Sequence, residues 1–463
     1  MVTASVALIV AAQVSPQQYA MWGIAVIVIQ FQFVLRLGLG PALIFHRSRT
    51  HAEFQRNADD AFSLTTGLAT ATAVVLFALA PWLASLFSKG FSQHELTLAI
   101  RIMCVPLILM TMEDVPVSLL EKTMNFRLRS YVEITTALVY AVTALGLVAA
   151  GLGVWSLIVA KLVQSVGRTV AFWRFAPARP RIRARIDWTA LRVLLKYGSL
   201  LTMAGVVGFA TSNLDTVAVG LAFGATALGV YALAFTLCNF VPTFLGESLV
   251  RVFFPVFAAK RDSDGALHET FLASLHVLAG IMLPTSVVLL AFGPRLLVEV
   301  FGPQWAVGGR ILQVLALYAL ARSLGDVATS MRSATGRAGL SLRARIWGLV
   351  ASLLVLWPCL ALGTIGVAIA FTVGQSAIAT VALLSLPAGW RKGAWRPFIA
   401  PSLAAIIGLV AGSVLVPVSG VSQSGIFATI AFLLAYAPVL LVADSPLRRM
   451  LAALLLNARQ SSS

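Results

Sequence analysis

The chain has 463 residues, of which 59% are hydrophobic and only 11% charged, and its mean hydropathy is +0.92. A soluble domain of this length needs far more charge to cover its surface, so the composition excludes a soluble enzyme and points to an all-α, polytopic membrane protein. The net charge of +17 is no sign of nucleic acid, because the cations sit in short loops between apolar runs.

In chain order, residues 1–12 are apolar but shorter than the ~20 needed to cross the hydrocarbon. No Lys or Arg precedes Arg36, so the positive region of a signal peptide is missing. This stretch reads as a truncated first span, and the expectation is either a start upstream of Met1 or an incomplete first helix. Apolar windows then predict spans over 19–44, 61–87, 96–120, 131–150 and 154–175. Residues 174–196 interrupt the series with seven cations against one acid, Asp187, and with Pro177 and Pro180. Eight further windows follow, at 193–223, 228–258, 267–292, 305–333, 342–362, 366–386, 398–416 and 425–442. The predicted organisation is therefore about fourteen helices: a bundle over 1–175, a basic hinge over 176–190, a second bundle over 191–390, and two extra helices with a tail over 391–463.

The loops alternate in charge. Arg47, Arg49 and Arg56, then Lys122, Arg127 and Arg129, the hinge, Lys260 and Arg261, Arg332 to Arg345, Arg391 to Arg396, and the tail cations Arg448, Arg449 and Arg459 all fall on one side. The loops between them hold only Lys89 and Arg295 as cations. The positive-inside rule puts the hinge and the C-terminus in the cytoplasm. Cys104, Cys238 and Cys359 lie in apolar segments without metal or disulfide spacing, so no metal and no cofactor is expected.

The halves read as repeats. Ser15 to Trp22 parallels Gly224 to Tyr231 at an offset of 209, Phe126 to Arg129 parallels Leu340 to Arg343 at 214, and Gln164-Ser165 parallels Gln375-Ser376 at 211. Two six-span repeats of equal topology are related by a pseudo-twofold along the membrane normal, a transporter architecture.

Several short motifs carry a family resemblance. Val115-Pro116-Val117-Ser118-Leu119-Leu120-Glu121-Lys122 followed by Phe126, Gly151 to Leu157, Leu228 to Tyr231, Phe254-Pro255 and Phe301-Gly302-Pro303-Gln304-Trp305 occur in this order. In these the chain resembles the polysaccharide-type flippases of the multidrug/oligosaccharidyl-lipid/polysaccharide export superfamily. The resemblance runs from about Ser15 to Leu386. It implies a bacterial inner-membrane flippase for undecaprenyl-pyrophosphate-linked oligosaccharides in exopolysaccharide, capsule or O-antigen (lipopolysaccharide) synthesis. Membrane lipids, a polysaccharide polymerase and export machinery are the implied partners. Members usually begin with a full first span, and often carry an acid before the Leu-Gly-Leu of the second span. This chain has Arg36 before Leu37-Gly38-Leu39.

No Walker loop, HExxH or GxSxG is present, so the chain is not expected to be an enzyme. The informative residues are ionisable groups inside spans, which are costly there and face a cavity or a partner. Lys161, Gln164, Ser165 and Arg168, at i, i+3, i+4 and i+7, share one face of the sixth span. Snorkelling to the interface is the competing reading, even with a cavity role for Arg168 and weaker for Lys161. Arg36, with Gln32 one turn before it, and Arg322, four residues before Asp326, complete the candidate substrate-binding set. Glu247 and Arg251 form a similar pair. Glu113 and Asp114 read as interfacial. Asp215 and Asn213 are candidate ion-coupling residues, with a partner on a neighbouring helix as the equal alternative. A multidrug or small-cation exporter is the alternative function, disfavoured because buried bases are as prominent as buried acids. A polymerase would need a large outer loop, and the longest one here is too short.

Overall fold

The computed structural model describes residues 2–45, 50–87, 89–123, 125–177, 179–183, 186–391, 393–418 and 424–444. Among these residues every regular element is a helix. With no water in the hydrocarbon, helices satisfy their own backbone groups, which is why such an apolar chain adopts them throughout. In the first half they are α1 (Val2–Ala11), α2 (Pro16–Gln30), α3 (Gln32–Leu35), α4 (Leu39–Phe45), α5 (His51–Leu86), α6 (Gln93–Met112), α7 (Asp114–Lys122), α8 (Phe126–Ala149), α9 (Trp155–Phe175) and α10 (Trp188–Val241). The second half holds α11 (Glu247–Ala259), α12 (Asp264–Ala291), α13 (Gly293–Phe301), α14 (Gly308–Ala334), α15 (Ala338–Cys359), α16 (Thr364–Leu384), α17 (Ala388–Arg391), α18 (Ile399–Val418) and α19 (Gly425–Ala443).

Eleven helical stretches among the described residues are long and apolar enough to cross a membrane. One of them, Thr202–Phe244, has 43 residues, about 65 Å of helix and twice the hydrocarbon thickness. Gly224, at φ 84°, divides it into two crossings. The 21 residues of α9 stand outside that set because Lys161, Gln164 and Arg168 lower its mean hydropathy. With these two adjustments the expected fourteen-span pattern is present, and α1, ten residues long, occupies the place of the short first span.

Contacts divide the chain into two compact units, Met1–Ala232 and Leu233–Ser463. In the first, α5 lies along α6, α8 along α9, and α6 packs against both α2 and α9. The second is built on α14, α15 and α16, with α12 packed on α14 and the pair α18/α19 attached to α12.

Two helices expected as single spans are broken, and both breaks position charge. The 19–44 span ends as α2 at Gln30, resumes briefly as α3, then turns through Leu37 at φ 51° and Gly38 at φ 61° before α4. Leu37 is the one non-glycine residue with positive φ among those described, a conformation that costs about 1–2 kcal/mol. The break is braced by α10: a Cβ on Gly198 would stand 2.4 Å from the Leu37 carbonyl oxygen, and one on Gly205 3.0 Å from that of Phe33. Two glycines two turns apart thus let one helix press on the opened backbone of another. The 96–120 span likewise divides at Glu113, where α6 ends and α7 begins. The repeat has a backbone trace as well. Left-handed Gly90 and Gly153 are matched by Gly302 and Gly363, at offsets of 212 and 210.

Candidate functional site

The two breaks and the polar face of α9 converge within the first unit. Arg168 donates from Nε to Glu113 Oε1 at 2.9 Å, and its Nη2 lies 2.6 Å from the same oxygen. Glu113 is fully buried at the α6/α7 joint. Arg36, at the α3/α4 break, donates to Gln32 Oε1 at 2.9 Å and pairs through Nε with Asp114 Oδ1 at 3.3 Å. Its guanidinium also lies 5.5 Å from the centre of the Phe33 ring. Lys161 donates to Gln164 Oε1 at 3.1 Å, within electrostatic reach of both Glu113 and Arg168. Gln164 is buried at 5% exposure.

Three cations, Arg36, Lys161 and Arg168, therefore face two carboxylates, Glu113 and Asp114, leaving one net positive charge. Arg168 and Arg36 are each held by an acid. Lys161 has an amide for its direct partner and no ion pair among the described residues. One oxygen of each acid, Glu113 Oε2 and Asp114 Oδ2, is buried without a hydrogen-bond partner. A buried charge left in this state is stabilised only by its counter-ions.

The sequence reading placed Glu113 and Asp114 at the interface without partners; the helix joint at Glu113 turns both to meet bases from α9 and from the α3/α4 break. Arg168 is held there by Glu113. The remaining candidates lie elsewhere. Asn213 donates to Gln30 Oε1 and to the Phe209 carbonyl, both at 2.9 Å, tying α10 to the end of α2. Asp215 is fully buried and accepts from the Thr216 amide at 2.7 Å and the Tyr231 hydroxyl at 2.9 Å, a contact that bridges the two sides of the Gly224 break. Neither shares a hydrogen bond or ion pair with the Arg168 cluster among the described residues. In the second unit, Arg322 donates to Asn239 Oδ1 at 2.5 Å and lies 3.7 Å from Asp326, which also meets Arg345 at 3.3 Å. The side chains of Glu247 and Arg251, and the tail cations, lie outside the described residues.

A second pair of acids was not read from the sequence at all. Asp59 and Asp60, buried near the start of α5, hold the basic segment as a strap. Asp59 Oδ1 accepts from the Arg181 amide at 2.9 Å, and Asp60 Oδ1 pairs with Arg183 at 3.1 Å. Asp60 Oδ2 accepts from the Asp187 amide at 3.3 Å, and Ser63 Oγ from the Arg183 amide at 2.8 Å. The available signal was two adjacent acids at the mouth of an apolar window, opposite a segment with seven cations.

The sequence profile of the polysaccharide biosynthesis proteins matches residues 9–308, which contain the broken second span, the strap and the whole of the Arg168 cluster. The chain belongs to the polysaccharide biosynthesis protein family. Within this family it is similar to the teichuronic acid biosynthesis protein TuaB of Bacillus subtilis, at 24% identity over 67% of this chain and 62% of that one. It is also similar to the lipopolysaccharide biosynthesis protein WzxC of Escherichia coli, at 28% identity over 40% of this chain and 38% of that one. These matches span less than two thirds of the relatives' own length. The lipid II flippase MurJ, in an inward closed conformation, shares the fold at a TM-score of 0.75 and 15% identity, over 97% of this chain and 98% of that one.

Proposed function

We propose that this chain is a flippase that carries polyprenyl-diphosphate-linked oligosaccharides across the cytoplasmic membrane for the synthesis of a surface polysaccharide. The observation that carries the reading is the incompletely neutralised cluster of Lys161, Gln164, Arg168 and Arg36 over Glu113 and Asp114. A diphosphate brings more than one negative charge, and its passage through a low-dielectric interior needs bases to receive it. Lys161 is the base free to do so first. Arg168 and Arg36 follow by exchanging a carboxylate for a phosphate oxygen, a partner with the same geometry for a guanidinium. The glycan lies along the polar face of α9 and the lipid chain stays in the bilayer.

In this reading residues 1–175 and 191–390 are the two lobes that rock, the basic strap and the C-terminus face the cytoplasm, and residues 391–463 are an appendage. Arg322 serves the second lobe, and Asp215 with Asn213 couples an ion. A polymerase and export machinery take the product. A cation exporter is not favoured by a cluster whose net charge is positive.

Complementation of an export-null strain tests the assignment, with membrane abundance measured in parallel. Lys161→Ala should abolish polymer export at normal abundance, and Lys161→Arg should retain part of it, since charge is what the site needs. Full export by Lys161→Ala would remove the site.

A further inference from the structure

The strap and α5 form a second feature, which shares no hydrogen bond or ion pair with the Arg168 cluster among the described residues. Ser63, Thr66, Gly67, Thr70, Ala71 and Val74 lie on one face of α5 at helical spacing and, with Val75 and Ile182 of the strap, line a mostly apolar groove of about 620 Å³. The face is turned outward: Val74 and Val75 are more than half exposed. Depth along the helix can be counted. Twenty residues back from Leu86, the hydrocarbon ends near Gly67. Ser63 and Asp59 lie about 6 and 12 Å beyond by helix rise, in the headgroup layer.

Three chemistries are layered along this groove. At headgroup level the strap, pinned by Asp59, Asp60 and Ser63, presents Arg179 and Arg181, whose side chains are exposed and make no ion pair among the described residues. Ile182, next to Arg181, is 72% exposed, so the strap offers an apolar side chain as well as charge. At the hydrocarbon boundary stands Thr66. Its neighbours Ser63, Thr65 and Thr70 each return their hydroxyl to a carbonyl of their own helix. The Thr66 hydroxyl has no partner among the described residues, although the residue is only 7% exposed. Below it the lining is Gly67, Thr70, Ala71, Val74 and Val75, with the Thr70 hydroxyl turned back to its own helix. We propose that this groove binds one anionic glycerophospholipid of the surrounding leaflet. Its phosphate lies on Arg179 and Arg181, an ester carbonyl accepts from Thr66 Oγ1, and an acyl chain lies over Gly67, Ala71 and Val74.

The ester level decides the lipid class. A glycerophospholipid carries carbonyl oxygens one short step below its phosphate, where Thr66 needs an acceptor, whereas a polyprenyl diphosphate carries none. The charge decides the headgroup, since basic pockets at the membrane surface select anionic lipids. The inference is independent of the transport reading, and its failure would leave the Lys161 assignment untouched.

The test uses the purified full-length protein in mixed vesicles of phosphatidylglycerol and phosphatidylcholine, with lipid retained after detergent extraction counted by native mass spectrometry. Wild type should retain phosphatidylglycerol over phosphatidylcholine. Arg179→Ala/Arg181→Ala should lower that retention about thirtyfold, at about fivefold for each arginine near the surface. Gly67→Leu should lower it with the strap's charge intact, because a Cβ at Gly67 meets no atom within 4 Å and the side chain would fill the groove without disturbing the helix. Equal retention of both lipids by wild type, or retention unchanged in these variants, would overturn the proposal. So would displacement of phosphatidylglycerol by an equimolar polyprenyl diphosphate, which would give the groove to the carrier lipid.

Discussion

Two basic sites, one in each unit, are built from the same residue types and differ in where the acid sits. In the first unit Arg168 meets Glu113, whose side chain is 1% exposed; in the second Arg322 meets Asp326, whose side chain is 37% exposed. A base facing a solvated acid gains little and loses little when the pair is broken. A base facing a buried acid is bound to it, because either partner left alone is an uncompensated charge in a low-dielectric interior. The first site is thus a structural joint, and in the proposed transport role Lys161 is the member not tied into that joint. The backbone adds to the difference. The first site stands on a strained break at Leu37 and a joint at Glu113, whereas Arg322 stands within the uninterrupted α14.

This contrast is broken most severely by Glu113→Ala. Leaving Arg168, whose side chain is 24% exposed, without its acid should cost up to about 3 kcal/mol, read as lower thermal stability in detergent and lower membrane abundance. Removing both partners, Glu113→Ala/Arg168→Ala, should recover most of the stability but not export. Recovery of export in the double variant would make the pair purely structural. Gly198→Ala comes next: a methyl 2.4 Å from the Leu37 carbonyl oxygen forces α10 off the break, with an expected loss of about 1–3 kcal/mol and impaired export. Unchanged export would show that the brace is dispensable. The smallest effect belongs to Asp326→Asn, which should shift stability by less than about 1 kcal/mol because the acid is partly exposed and loosely held, at 3.7 and 3.3 Å from its two arginines. A loss as large as that of Glu113→Ala would erase the distinction between the two sites. Orientation is tested separately: Arg337→Cys should be labelled from the cytoplasm only and Gln93→Cys from outside, and labelling of Arg337→Cys from outside would invert the topology.

The span pattern and the α9 stripe were legible in the sequence because both rest on one-dimensional facts: window length, loop charge, and the i, i+3, i+4, i+7 spacing of Lys161 to Arg168. The helix breaks were not. Leu37 takes a left-handed conformation because α10 braces the backbone through Gly198 and Gly205, and nothing local to Leu37 announces it. Glu113 looked interfacial by its distance from the span end, and only the joint at that residue turns it to meet Arg168. The same holds for the strap. Its seven cations were visible, but its conformation is set by Asp59 and Asp60, more than a hundred residues earlier. In each case charge was readable where it stood along the chain, and its partner was supplied by a tertiary contact.

The central claim is that the charge left over at Lys161 receives the diphosphate of a lipid-linked oligosaccharide and permits its transfer. The most direct measurement places purified wild type and Lys161→Ala in vesicles containing that lipid-linked substrate in one leaflet, and follows its appearance in the other with a membrane-impermeant glycan-cleaving probe. The account predicts transfer by wild type and none above protein-free vesicles by Lys161→Ala, at equal reconstitution and equal thermal stability. Transfer by Lys161→Ala at the wild-type rate would contradict it.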